Sequence, residues 1–227
     1  MRNPTTTKLE IDVMQMSELS EAIDLSIQYH MPALVVHPDL AAEANLGRGM
    51  RQGRFKIIVP VDWPKGDKFG MAKMQGMRIE ALSQDGFEII VSNKKNASDI
   101  KNELLAIDKF IRNQLPPHIE IRVVLETFTR ELDEIARICD VLREVPAPSY
   151  VRVDHHIRIQ QAKANAKKHK DLVDFVREHT AIPIKLSGNL NTLKIVQSCD
   201  PARYAVGLKE AKSIIKEVRI AAVQPAS

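Results

Sequence analysis

Charged and polar side chains alternate with aliphatic ones in four short segments of this sequence, a spacing that could bring acids, amines and guanidinium groups together. The residues concerned are Glu10, Asp12, Arg122, Glu126, Arg152, Asp154, Lys185 and Ser187. Carboxylates of this kind can transfer protons, and a lysine amine can form a Schiff base with a carbonyl substrate. Arginine guanidinium groups can bind a phosphate or carboxylate with two hydrogen bonds.

Alternating strand and helix patterns along the chain indicate which elements hold these groups in place. Short runs rich in Val and Ile are separated by amphipathic stretches, which is a βα pattern. It predicts strands near Leu9–Met14, Ala33–His37, Lys56–Asp62, Phe87–Ser92, Ile119–Glu126, Tyr150–Asp154, Pro183–Ser187 and Tyr204–Leu208. The clearest predicted helices are Ser17–Tyr29, Gly70–Gln84, Ser98–Gln114, Arg130–Arg143, Gln160–Glu178 and Lys209–Val218.

Eight such units in 227 residues predict an α/β fold, a (β/α)8 TIM barrel formed by one domain over residues 1–227. A doubly wound open sheet competes, but the glycine-rich dinucleotide fingerprint is absent after the first strand. Side chains alternate across a strand, so Arg122, Arg152 and Lys185 are expected to face one interior. Barrel chemistry lies at the carboxyl ends of the strands, where we expect this cluster. A self-neutralising structural network is the alternative reading.

Composition narrows the partners of the protein. The net charge of +4 comes from 33 basic and 29 acidic residues, which gives a mildly basic surface and favours a small anionic molecule. The basic stretch 160–171 has no interleaved aromatic residues, so nucleic-acid binding is disfavoured. No apolar segment is long enough to span a membrane, and two cysteines suit the cytoplasm. Whether the chain forms a homo-oligomer stays open.

Several motifs, taken in order, resemble those of the deoxyribose-phosphate aldolase family, the class I aldolases built on a TIM barrel. IKLSGNLNT (184–192) resembles the seventh-strand Lys-x-Ser-Gly-Gly motif, and RVVLETFT resembles the fifth-strand Lys-Val-Ile-x-Glu-Thr. EIDVMQM is similar to the first strand, IIVPVDWPKG to the third strand and its turn, and RYAVGLKEA stands where the family has a phosphate-binding turn. The resemblance covers nearly the whole chain.

The resemblance implies a Schiff base on a sixth-strand lysine, assisted by a seventh-strand lysine and a fourth-strand aspartate. Lys185 matches the seventh-strand lysine, but Arg152 stands at the Schiff-base position and Ile90 at the position of the aspartate. A guanidinium group that stays protonated cannot condense with an aldehyde. The departures from the family pattern therefore fall on the chemistry.

Two functions follow as hypotheses. The first is an aldolase-like lyase on a small phosphorylated carbonyl compound, with Lys185 as amine or proton shuttle and Arg152, Asp12, Glu126 and Asp154 beside it. The second is a catalytically altered or inactive relative that binds an anionic small molecule. In both, the ligand-binding residues would be Arg122, Ser187, Gly188, Asn189, Gly207 and Lys209. We expect no cofactor, although a metal held by Asp154, His155, His156, His37, Asp62 and Glu126 remains an alternative.

Overall fold

The structure is a computed structural model. It describes residues 5–62, 84–91, 96–114, 119–126, 131–144, 153–161, 166–181, 183–188, 190 and 192–223. The strands are β1 (Leu9–Val13), β2 (Ala33–Val36), β3 (Lys56–Asp62), β4 (Gly86–Val91), β5 (Glu120–Glu126), β6 (Val153–Gln161), β7 (Ile184–Gly188) and β8 (Arg203–Gly207).

The helices of the described residues lie between and after these strands. They are α1 (Met16–Gln28), α2 (Ala41–Met50), α3 (Ala97–Gln114), α4 (Leu132–Glu144), α5 (Ala166–His179), α6 (Leu193–Cys199) and α7 (Leu208–Val223). Short 3-10 turns occur at Thr6–Lys8 and Pro38–Leu40. Among the described helices, none combines the length and apolar character that crossing a bilayer requires.

Every strand runs parallel to its neighbours. The strands pair in chain order from β1 to β8, and β1 also pairs with β8, so the described sheet closes on itself. The predicted α/β class is therefore confirmed. The helix predicted at Gly70–Gln84 falls almost wholly outside the described residues, so that part of the predicted eightfold repeat is not observed.

The two faces of the sheet differ sharply in chemistry. The outer face contributes aliphatic side chains such as Ile11, Leu34 and Leu186 to one large core against the helices. On the inner face the described apolar cluster consists of only Ala33, Val35 and Ile58. Barrel interiors are ordinarily filled by layers of branched aliphatic side chains. Here, charged groups occupy much of that space.

The prediction for the sixth strand was wrong in its boundaries. The strand was expected at Tyr150–Asp154, but β6 spans Val153–Gln161, and α5 begins at Ala166 instead of Gln160. Period-two alternation continues through Ile157 and Ile159, a signal that the polar neighbours obscured. Tyr150 and Arg152 lie outside the described residues.

Two helices were not predicted, for local reasons. In α2, Gly47 and Gly49 lower the helix propensity, and α6 is only seven residues long, too short for a clear periodic pattern. Gly86 on β4 is required by close packing, since a Cβ there would lie 2.3 Å from the Glu120 carbonyl oxygen on β5. That approach lets β4 and β5 pair tightly where the interior charges begin.

Candidate functional site

The interior of the sheet holds a set of mutually paired charges, which we call the interior charge cluster. Its members are Glu10, Glu88, Glu120, Arg122, Lys185 and Arg203. Three are carboxylates and three are cations, and the partly exposed Lys56 adds a further cation that pairs with Glu120. Glu10, Glu88, Arg122 and Lys185 are almost completely shielded from solvent. Charges at this depth are tolerated only when they are paired and hydrogen-bonded.

Arg122 on β5 makes the most extensive contacts of the cluster. Its Nη1 donates to both carboxylate oxygens of Glu10, at 2.8 and 2.9 Å, and its Nε donates to Glu120 Oε1 at 2.8 Å. Arg203 approaches from β8 and donates to Glu10 Oε1 at 3.0 Å. The Arg122–Glu10 ion pair therefore connects β5 to β1, two strands on opposite sides of the closed sheet.

Lys185 on β7 extends the cluster toward β4. Its Nζ donates to Glu88 Oε2 and lies 3.2 Å from Glu10 Oε2. The side chain has no exposed surface. The amine expected to react with a carbonyl substrate is thus enclosed between two carboxylates. Glu88 was missed as a site residue, although its alternation with Phe87 and Ile89 in the predicted strand was a usable signal.

The height of the cluster in the barrel differs from the prediction. Arg122 and Lys185 both contact Glu10 in the interior, but they are the third residue of β5 and the second residue of β7. Glu10 is likewise the second residue of β1. The cluster therefore lies in the amino-terminal half of the sheet and not at the carboxyl-end mouth. This position and the mutual pairing of its charges fit the structural-network alternative.

The cations of the cluster set the ionisation of its carboxyl groups. Burial alone would raise the pKa of Glu120, but Arg122, together with Lys56 at the edge of the cluster, outweighs it and lowers that pKa to about 2. The pKa of Glu10 is also lowered, because Lys185, Arg122 and Arg203 together outweigh the effect of burial. Both groups are carboxylates at neutral pH, as the pairing requires.

This lowering predicts acid-dependent stability. A carboxyl whose folded pKa is depressed stabilises the fold above its unfolded pKa of about 4.5, and that contribution is lost as the pH falls toward about 2. When the pH falls from about 5 to about 3, the lost contribution of Glu120 should lower the free energy of unfolding by about 1 kcal/mol. This value is already reduced because solvent reaches Lys56 and screens its interaction with Glu120. Urea unfolding at both pH values checks this.

The variant Glu120→Gln should lose less stability than the wild type over this pH interval. The exposed Glu178→Gln serves as the matched control and should retain the wild-type difference. Equal pH dependence in wild type and Glu120→Gln would contradict the depressed pKa of Glu120.

A second inward layer lies nearer the carboxyl ends of the strands. Asp12 is two residues beyond Glu10 on β1, and its Cα pairs in register with Gly207 at the end of β8. Ser187 is two residues beyond Lys185 on β7, is 4% exposed, and its Oγ has no hydrogen-bond partner in the part of the chain that the structure describes. A buried hydroxyl of this kind can donate a hydrogen bond to a group that enters the interior.

The register of β6 identifies an arginine that sequence reasoning overlooked. The Cα of Arg158 pairs with Glu126 on one side and with Lys185 on the other. Arg158, rather than Arg152, therefore occupies the sixth-strand position beside the seventh-strand lysine. Asp154 pairs in register with Arg122, near the amino-terminal end of β6.

The predicted anion-binding turns are only partly described. Gly188 ends β7 in register with Gln161, while Asn189 lies outside the described residues. Gly207 ends β8 directly before α7, but a Cβ there would lie 2.8 Å from Glu210 Oε2, so a carboxylate already lies beside this helix start. Lys209 is exposed in the first turn of α7. Because the Glu210 carboxylate lies there, this turn is less suited to binding an anion than the sequence predicted.

Within the described residues, no group of three or more His, Cys, Asp or Glu side chains could hold a metal ion. Of the ligands of the alternative metal site, the side chains of Asp62, Glu126, Asp154, His155 and His156 lie outside the described part of the structure. His37 is exposed, and its Nδ1 accepts a hydrogen bond from the backbone N–H of Asp39 at 3.4 Å. It thus caps the turn that follows β2 instead of facing the interior.

Comparisons with known proteins agree with this architecture. No family model matches the sequence, and no curated protein matches it significantly. Among solved structures, the aldolase QR15 matches with a TM-score of 0.68 at 15% identity, covering 97% of this chain and 99% of that one. The tetrameric deoxyribose phosphate aldolase from Aeropyrum pernix matches with a TM-score of 0.67 at 12% identity, covering 95% and 91%.

The same fold also occurs with different chemistry. The carboxyl transferase domain of Rhizobium etli pyruvate carboxylase matches with a TM-score of 0.60 at 12% identity, covering 91% of this chain and 40% of that one. The class defined by these matches is an aldolase-like α/β fold, as the motif resemblance implied. Since one fold hosts many reactions, the function has to be argued from the site.

Proposed function

We propose that this protein binds a small anionic carbonyl compound, of the phosphorylated kind, at the carboxyl ends of its strands, without covalent attachment to Lys185. The observation that carries the proposal is the state of Lys185, which is buried and held between Glu88 and Glu10. A Schiff base requires a neutral, accessible amine. The neighbouring register position on β6 carries Arg158, which cannot supply one.

Two features of the carboxyl half support a bound ligand. Within the described residues the Ser187 Oγ has no hydrogen-bond partner, so it can offer a hydrogen bond in the interior, and Asp12 lies in the same half of the sheet on β1. Arg158 and Glu126 are adjacent in register close to this region. An arginine in such a position suits a phosphate or carboxylate group. Arg158 would take the ligand-binding role predicted for Arg122, because Arg122 is occupied by Glu10 and Glu120.

The second candidate is an aldolase-like lyase, which the Lys185–Glu88 contact favours. A lysine paired with an acid can shuttle a proton between carbon and oxygen atoms of a carbonyl substrate. In that reading Lys185 acts as acid or base, with Asp12, Glu126 and Asp154 as further acid-base groups. Opening of the Glu88 contact on ligand binding would expose the amine.

One experiment separates the two candidates. Thermal unfolding is followed with dihydroxyacetone phosphate and glycolaldehyde phosphate, each compared with its unphosphorylated parent, and the same mixtures are treated with borohydride and mapped by mass spectrometry. We expect a rise in melting temperature with the phosphorylated compounds and no reduced adduct at Lys185. A Lys185 adduct, or new carbon–carbon products formed in the same mixtures without an adduct, would instead establish the lyase.

Matched variants test which residues carry the binding. Arg158→Met should abolish the thermal shift, and Ser187→Ala should reduce it, whereas Arg137→Met on the outer surface of α4 should leave it unchanged. Absence of a shift with every phosphorylated compound would refute anion binding at this site.

Three wider proposals accompany this function. We infer that the chain forms a single (β/α)8 TIM-barrel domain. A cytoplasmic location is supported by two cysteines, Cys139 and Cys199, which are both free and buried. Assembly into a homo-oligomer is supported only by analogy with the tetrameric Aeropyrum pernix enzyme.

A further inference from the structure

A groove lies on the outside of the protein between the last turn of α1 and the second half of α7. Its volume is about 730 Å³, and Leu25, Tyr29, Ile215 and Ile220 form its apolar lining. Ile220 is 49% exposed although it is a large aliphatic side chain. The groove is separate from the interior charge cluster, because the outer core of the barrel lies between them.

The charged side chains that line this groove are all cations. Lys212, Lys216 and Arg219 follow one face of α7 at spacings of four and three residues, where like charges repel. Lys212 is neutralised by Glu21 of α1 at 2.7 Å. Within the described residues, Lys216 and Arg219 have no ion-pair partner.

Nearby carboxylates do not compensate these two cations. Asp24 on α1 pairs with Arg51 at 3.0 Å, and Glu217 on α7 accepts a hydrogen bond from the backbone N–H of Leu193 at 2.8 Å, on the side of α6. The adjoining depression on that side contains Glu217 and so carries a negative group. The positive charge is therefore confined to the groove between α1 and α7.

From these features we propose that the groove binds a small amphipathic carboxylate, with its apolar chain on Leu25, Ile215 and Ile220 and its head group at Lys216 and Arg219. The volume lies in the range of small-molecule sites. Lys212 to Ile220 spans about 12 Å of helix, which suits one short acyl chain better than a macromolecular interface. Tyr29 and Gln28 border the groove at the α1 side.

The test is calorimetric titration of the full chain with decanoate, compared with decanol and acetate. Decanoate should bind, while decanol, which lacks the charge, and acetate, which lacks the chain, should each bind at least ~10-fold more weakly. Lys216→Glu and Arg219→Glu should each weaken decanoate binding by roughly 10-fold. Lys167→Glu, on exposed α5, makes the same change in net charge and should have no effect.

Other outcomes overturn the proposal. Equal binding of decanol, an equal effect of Lys167→Glu, or failure of decanoate to bind would each refute a charged amphipathic ligand at this groove. Binding of an acidic amphipathic peptide or of anionic vesicles, abolished by Lys216→Glu while decanoate fails to bind, would assign the groove to a macromolecular partner or a membrane surface instead.

Ile220→Ser changes an exposed position and should not affect folding. It should weaken the binding of decanoate, because it shortens the apolar lining of the groove.

Discussion

Arg122→Met is expected to lower the free energy of unfolding by about 3 kcal/mol, because it removes the cation that hydrogen-bonds to two buried carboxylates. Arg122 donates to Glu10 through Nη1 and to Glu120 through Nε. Lys185, Arg203 and Lys56 retain some pairing with those carboxylates, which keeps the effect toward the lower end of the range for a broken buried ion pair. Urea unfolding at neutral pH measures it.

The matched control for this variant is Arg137→Met, which removes a guanidinium from the exposed face of α4. Within the described residues, the hydrogen bond of Arg137 is from Nε to the Asp133 carbonyl oxygen at 3.3 Å. Its stability should be unchanged. If Arg122→Met unfolded at the same urea concentration as Arg137→Met, the interior charge cluster would contribute nothing to the fold.

Lys185→Met is expected to have a similar or larger effect, about 3 to 5 kcal/mol of lost stability, since Glu88 then keeps its charge in the interior without the ammonium group that it contacts. The double variant Glu88→Met/Lys185→Met should recover most of that loss, because an ion pair replaced by apolar groups of similar volume is often neutral for stability. A double-mutant cycle measured by urea unfolding gives the coupling between the two side chains.

This cycle also bears on function. If Lys185 is a structural partner of Glu88, the double variant should fold and still show the thermal shift with phosphorylated carbonyl compounds. Loss of the thermal shift in a stably folded double variant would show that Lys185 or Glu88 takes part in ligand binding. The exposed Lys167→Met is the control for removing a lysine without disturbing a buried pair.

Sequence and structure agree most closely where the pattern is local. The strands β1, β3 and β5 fall within two residues of their predicted ends, because period-two alternation and Val/Ile content are properties of each segment alone. The same alternation correctly placed Arg122 and Lys185 on the inner face. The helix-facing aliphatic core follows from it as well.

What the chain segments could not reveal is how far each inward residue lies along the barrel axis. That height depends on the stagger between neighbouring strands, which is a property of the closed sheet and not of one segment. The structure therefore decided that Lys185 contacts Glu88 and Glu10 in the amino-terminal half, and that Arg158 stands beside Lys185 in register.

The sequence alone thus determined the α/β class, the order of the elements and the inward face of its charges, since those depend on residue spacing. The tertiary structure decided the partners of those charges, the extent of β6 and the basic groove between α1 and α7. Each of these depends on distances between residues far apart in the chain, which local periodicity does not encode.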